Sequence, residues 1–191
     1  MLRFGSFTLS RPPKNWVKVP YFPCNRKSPL LMSDSQFTHL DAEGRPHMVD
    51  VAPKAVTARS AVARSVVQLD AAVIDKLEQE DFHTKKGPVF HTAVLAGIMA
   101  AKKTSDLIPL CHPLGLDNCS VDIRLTENRE IEILCTARLT AKTGVEMEAL
   151  TGASVAALTI YDMCKSFSQN IVIRETRLLL KTGGKSDYEA A

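Results

Sequence analysis

Two hydrophobic periods alternate along residues 55–180. Residues 55–69 are rich in Val, Ala and Thr and contain a long strand. Asp70 stands in the position of a helix cap, and Ala72, Val73, Ile74 and Leu77 make a helical stripe over residues 71–80. A loop at 81–88 holds His83, Lys85, Lys86 and Gly87. A second helix over 89–103 is full of small residues: Ala93, Ala96, Gly97, Ala100 and Ala101. Residues 104–116 carry two prolines and no period, yet are strongly apolar, so this loop is either buried or at an interface. Val121, Ile123 and Leu125 alternate, as do Ile131, Ile133, Cys135, Ala137 and Leu139. The break at 126–129 makes these two strands a hairpin. A helix over 143–165 follows, then strand at 171–173 and 176–180, then a tail at 181–185. The order β-α(α)-β-β-α-β predicts an α+β, ferredoxin-like domain: an antiparallel sheet with helices packed on one face.

The helix over 143–165 organises the rest. Gly152, Ala153, Ser154, Ala156 and Ala157 are small, so another backbone can come close and most sides should be buried. It still carries Glu146 and Glu148 at its start and Asp162 and Lys165 at its end, charges that are costly in a buried helix unless paired. Asp162 also lies where the helix dipole disfavours an anion. Asp162 and Lys165 are i,i+3 and can pair. Glu146 and Glu148 are i,i+2, so at most one should point into a given site unless the helix starts between them. The bland alternative is an exposed acidic start and a surface ion pair at the far end.

Composition changes this picture little. The chain has 191 residues, 45% hydrophobic and 24% charged, the balance of a globular protein. Its net charge of +3 comes from residues 1–33, which hold Arg3, Arg11, Lys14, Lys18, Arg26 and Lys27 and no acid. The remainder is slightly acidic, so charge does not argue for nucleic acid. Residues 1–36 read as a separate extension, and 37–191 as the folded domain. The basic, Ser- and Thr-bearing start resembles a mitochondrial transit peptide, with a linker or plain extension as the other reading. The location is the mitochondrial matrix in the first case and cytoplasmic in the second. No apolar run is long enough for a bilayer. The five cysteines show no C-x-x-C, which disfavours a disulfide framework or structural zinc.

Several loops could carry chemistry. Lys86, Lys165, Lys181 and Lys185 are cations beside loops or helix ends, and Gly183-Gly184 could wrap N–H groups around phosphate, although no Walker spacing is present. His112 is either a general acid/base or a packing histidine. An RNA-binding module on the same fold would want aromatics on its central strands, and residues 130–139 have none.

Taken together, Met48-Val49-Asp50-Val51, Lys86-Gly87, Ala96-Gly97-Ile98, the run LIPLCHP at 107–113, TGVEMEALT at 143–151, LTIYDMCK at 158–165 and KTGGK at 181–185 closely resemble the MoaC family of cyclic pyranopterin monophosphate synthases. The resemblance covers about residues 37–188. It implies a lyase of molybdenum cofactor biosynthesis that converts 3′,8-cyclo-7,8-dihydroguanosine triphosphate to cyclic pyranopterin monophosphate and releases pyrophosphate. It also implies a homo-oligomer, a hexamer built as a trimer of dimers, with active sites at the dimer interface and no cofactor. Carried over by position, Asp162, Lys165 and Lys86 are catalytic. Leu110, Cys111, His112, Met147, Glu148, Lys181 and Arg59 bind substrate. Such a shared site leaves open which subunit supplies each lysine, with Lys86 and Lys181 free to come from a different subunit than Asp162. Two positions depart from the family pattern: Pro88 after Lys86-Gly87, and Asp187 after Lys185-Ser186, each bearing on loop geometry.

Overall fold

A computed structural model describes residues 45–191. The expected extension at 1–36, and the boundary at 37, lie outside the described residues. Four long strands dominate: β1 (Thr57–Gln68), β4 (Asn118–Leu125), β5 (Ile131–Ala141) and β6 (Val172–Thr182). Two-residue strands β2 (His83–Thr84) and β3 (Gly87–Pro88) form a small hairpin, and β7 (Tyr188–Glu189) adds an edge. The helices are α1 (Ala71–Gln79), α2 (Val89–Ala101), α3 (Thr104–Leu107) and α4 (Glu146–Cys164). The main sheet runs β4-β5-β1-β6-β7, and every pairing is antiparallel. That order is the ferredoxin-like one with β7 appended, so the sheet has five strands rather than four.

Strand alternation decides which face is covered. Ala61, Ala63, Ser65 and Val67 of β1 and Ile131, Ile133, Cys135, Ala137 and Leu139 of β5 are buried beneath the helices. The opposite face is polar, and Arg64 bridges Glu132 and Glu175 there, each at 2.7 Å. Helix α4 lies over β1, β5 and β6, while α2 packs on α4 and β4.

The small residues in the two long helices have a concrete purpose. A Cβ on Gly152 would sit 2.6 Å from Cys135 Sγ and 3.2 Å from the Gly97 carbonyl oxygen, and one on Gly97 would sit 2.9 Å from the Gly152 carbonyl oxygen. Side-chain-free backbone at both positions therefore sets the depth of α4 in the fold.

Several local expectations are corrected. Asp70 precedes α1 but makes no side-chain cap; its carboxylate instead accepts from Ser168 and Asn170, which ties α1 to the segment after α4. Residues 104–116 begin with a helical turn, α3. The two C-terminal strand pieces are one strand, β6, irregular at two places in its pairing with β1. The tail at 181–185 starts inside β6.

Candidate active site

Helix α4 separates the ten candidate residues into two groups, because its first turn and Asp162 lie about 24 Å apart along the axis.

The first group stands at the C-terminal end. Lys165 Nζ lies 2.7 Å from Asp162 Oδ1, one helical turn away. Lys86, delivered by the β2–β3 hairpin, donates to Asp162 Oδ2 and to the Asp162 carbonyl oxygen, both at 2.7 Å. The hairpin turns at Gly87, whose φ of 110° is the left-handed region. Pro88, the first departure from the family pattern, sits in β3, and its carbonyl accepts from Thr92 in the first turn of α2. Lys165 and then Lys86 hold the Asp162 carboxyl down at about 2, and Asp162 pushes the Lys165 ammonium up. Both shifts deepen ionisation, so the pair is a carboxylate between two ammonium groups.

The expected burial does not hold here. Asp162, Lys165 and Lys86 side chains are 55%, 53% and 45% exposed. Apolar packing covers the middle of α4 and stops before its last turn. Lys86 and Asp162 also meet within one chain, so Lys86 reaches Asp162 without a second subunit.

The second group surrounds the N-terminal end of α4, at a cavity of about 590 Å³. Its walls are Val49, Val51, Ile108, Leu110, Cys111, His112, Leu114 and the first turn of α4. The apolar stretch before β1 and the irregular segment after α3 are thus explained: both are cavity walls. His112 Nε2 is 2.9 Å from the Val49 carbonyl oxygen, which can only accept. That contact requires a proton on Nε2, so His112 donates to Val49 through this nitrogen. Lys142 Nζ donates to the Ala52 carbonyl oxygen at 2.7 Å and gives the same wall a second tether.

Met147, Glu148 and Glu146 all line this cavity. The expectation that the two glutamates cannot share a site fails because the cavity meets the helix end-on. Residues around the whole first turn reach it, and so do Thr143 and Gly144. Glu148 is only 3% exposed. Burial, with the negative charge of Glu146 adding, pushes its carboxyl up, against the hydrogen bond from its own backbone N–H. Burial, then Glu148, raises the Cys111 thiol, so no thiolate nucleophile is present.

Lys181 and Arg59 stand beside the same helix end. Lys181 Nζ is 3.4 Å from Glu146 Oε1, and Arg59 Nε donates to the Ala141 carbonyl oxygen at 3.0 Å. A narrow hollow joins Arg59, Lys181 and Glu146. Gly183 closes the turn behind them. Its φ is 80°, and a Cβ there would lie 1.9 Å from the Ala58 carbonyl oxygen. Its N–H donates to Asp187 Oδ1 at 3.0 Å, and its carbonyl accepts from Thr57 Oγ1 at 2.7 Å. Asp187, the second departure, therefore closes the loop by its own carboxylate, in the place where a phosphate had been the expected occupant.

Glu146, Lys54 and Lys142 were not singled out as site residues from the sequence. A helix start placed at Glu146 rather than at Thr143 would have brought Glu146 in. Lys54 and Lys142 give no local signal, since only the fold brings residues 49–54 to the β5–α4 turn. Among the described residues, no group of three or more His, Cys, Asp or Glu side chains gathers as a metal site, and no helix is long and apolar enough to cross a membrane.

Residues 48–184 match the model of the MoaC family. The chain belongs to that family. It is 52% identical over 163 residues to a cyclic pyranopterin monophosphate synthase of Xanthomonas oryzae pv. oryzae, covering 85% of this chain and 99% of that protein. The same figures hold for the protein of that name in Xanthomonas campestris pv. campestris. A molybdenum cofactor biosynthesis bifunctional protein of Synechocystis is 52% identical over 155 residues, 79% of this chain and 45% of that longer protein.

Proposed function

We propose that this MoaC-family chain is a cyclic pyranopterin monophosphate synthase, a lyase that takes 3′,8-cyclo-7,8-dihydroguanosine triphosphate to cyclic pyranopterin monophosphate and pyrophosphate. The observation that carries the reading is the apolar cavity closed by α4, with Glu148 buried in its wall. Such a slot takes a flat heterocycle, and a buried carboxyl suits its ring N–H and amino groups.

The chemistry asks for two things. Rearranging the ring system moves protons between carbon, nitrogen and oxygen, which needs a base and an acid held together. Asp162 serves as the carboxylate base once a bound ligand's phosphates draw the Lys165 and Lys86 ammonium groups away from it, and those two groups supply the acid and the positive charge. Closing the cyclic phosphate forms a bond from a ligand hydroxyl oxygen to the α-phosphorus. The hydroxyl proton goes to a base, and the bond to pyrophosphate breaks with its electron pair on the leaving oxygen. Cations stabilise that leaving group, so no covalent enzyme intermediate is required.

The two groups of residues lie too far apart along α4 for one small ligand to touch both in a single chain. Leu95, Met99 and Leu158 leave large apolar side chains exposed on α2 and α4. A second copy packed there would cover these side chains, and a site shared between copies would join one chain's Asp162 group to the other's cavity. The reading is therefore of a homo-oligomer with shared sites, and the family resemblance specifies a trimer of dimers.

Incubating the purified protein with the cyclised nucleotide, and assaying both the pterin product and pyrophosphate, tests the reaction. Absence of both products from a folded protein would sink it.

A further inference from the structure

The cavity wall that precedes β1 is gripped from behind. Val49, Val51 and Lys54 line the cavity, while Ala52 and Pro53 between them do not. The Lys54 N–H donates to the Val51 carbonyl oxygen at 3.0 Å, so residues 51–54 form a tight turn. Pro53 stands third in that turn. Proline there pushes the residue before it out of the helical region that the commonest turn needs, so local preference alone does not hold the turn. Two charged side chains supply the rest. The Ala52 N–H donates to Asp50 Oδ1 at 2.8 Å, and the Ala52 carbonyl oxygen accepts from Lys142 Nζ at 2.7 Å. An anion and a cation thus hold the two polar groups of one residue.

Lys142 reaches this turn from the opposite wall. It stands between β5 and α4, next to Thr143 and Gly144, which line the cavity together with the first turn of α4. Its own side chain does not line the cavity. We propose that Lys142 is a positioning residue: through Ala52 it fixes the width of the slot between the 51–54 turn and the first turn of α4. The proposal rests on the reading of this cavity as the slot for the ligand's ring. His112 pins the same wall at Val49, so Lys142 governs its other end. A flat ring gains from close contact on both faces, and a gap of about 0.5–1 Å already forfeits a quarter to a half of that attraction. A wall that drifts therefore weakens binding of the ring. It leaves untouched the chemistry assigned to the Asp162 group at the far end of α4.

Lys142→Met in the full chain keeps the side-chain length and removes the donor. It should raise the KM for the cyclised nucleotide about three- to tenfold, the loss of one charged hydrogen bond, and leave kcat within about twofold. Lys142→Arg, which still donates, should restore most of the KM. A second measurement needs no turnover. Hydrogen exchange at the Ala52 and Lys54 amides should quicken in Lys142→Met, while the melting temperature and the exchange of the main sheet stay as in the wild type. Asp50→Ala removes the other grip and should quicken the same two amides, which decides the matter should Lys142→Met fail to fold. Unchanged exchange or an unchanged KM overturns the proposal. So does a fall in kcat at constant KM, which would put Lys142 in the chemistry, or a lowered melting temperature with faster exchange throughout, which would make its role structural. A wild type that forms no pterin refutes the reaction instead, and the exchange of the two amides then decides the tether alone.

Discussion

Lys86 Nζ lies 2.7 Å from Asp162 Oδ2, and both residues belong to one chain. The β2–β3 hairpin and the last turn of α4 therefore present one cluster, with Lys165 completing it from the other carboxylate oxygen. The cluster is open to solvent in the single chain, so its charges contribute little to stability and are free to act on a ligand.

Asp162→Asn and Lys165→Ala should each reduce turnover about a hundredfold or more, the range for loss of a general acid or base. Neither should move the melting temperature by much, because both side chains are exposed. The pH dependence has a definite sign. The Asp162 carboxyl is depressed to about 2 in the folded chain, so its contribution to stability is present above the ordinary aspartate range and is lost as pH falls toward that value. Lys165 is raised, so its contribution is present below the ordinary amine range and is lost only at higher alkaline pH. The small stability difference between the wild type and Asp162→Asn should be flat across about pH 5–9 and vanish in strong acid. Melting curves over that range check it; a difference that changes near neutrality would contradict the ion pair.

Glu148→Gln should stabilise the protein while removing activity. Burial raises the Glu148 carboxyl, so the folded chain holds a proton more tightly there than the unfolded chain does. Stability from this group is complete below the ordinary glutamate range and is lost as pH rises through the raised value. At neutral and higher pH the buried carboxylate costs stability, and glutamine keeps the shape without the charge. The variant should therefore melt higher than the wild type at pH 8, and the gain should shrink on acidification. A variant that melts lower at pH 8 would show that the carboxylate is well solvated or paired.

Gly152→Ala should destabilise the fold although alanine is the better helix former. Removing glycine from a helix interior gains about 1 kcal/mol. The added carbon would stand 2.6 Å from Cys135 Sγ, in the core between α4 and β5. Overpacking of this kind costs about 1–3 kcal/mol, which exceeds or cancels the gain. A lowered denaturation midpoint is expected, with Cys135→Ala as the second change that relieves it. Equal stability of Gly152→Ala and the wild type would mean that α4 can lift away from the sheet at no cost.

The fold was legible in the sequence where period and punctuation agreed. The alternation in β4 and β5 and the small-residue faces of α2 and α4 gave the antiparallel sheet and the side on which the helices lie. The β2–β3 hairpin was missed because two-residue strands have no period to read. Asp70 was misread because its partners, Ser168 and Asn170, are distant in sequence. The pairing of Asp162 with Lys165 followed from spacing alone, whereas the third member, Lys86, comes from 76 residues away and needed the fold. The glutamates show the opposite failure. Helical angles place them on different faces, but a cavity at the end of a helix is met by the whole first turn, which angular reasoning does not capture.

The division of the site residues between the two ends of α4 makes a sharp prediction about mixed oligomers. If one chain's Asp162 group serves the other chain's cavity, a defect in either group kills both sites of a homodimer. Mixing Asp162→Asn with Glu148→Gln, after dissociation and reassembly, places both defects in one site of each mixed dimer and leaves the other site whole. With random pairing, half of the dimers are mixed, so about a quarter of wild-type activity should return. Mixing Asp162→Asn with Lys86→Ala is the control that the 2.7 Å contact dictates. Both changes fall in the same group of the same chain, every site then carries one defect, and the mixture should stay inactive. Recovery in that second mixture would mean that Lys86 acts across the interface despite its contact within the chain. A dead first mixture of confirmed mixed oligomers, or full activity from a monomer in light scattering, would refute the shared site.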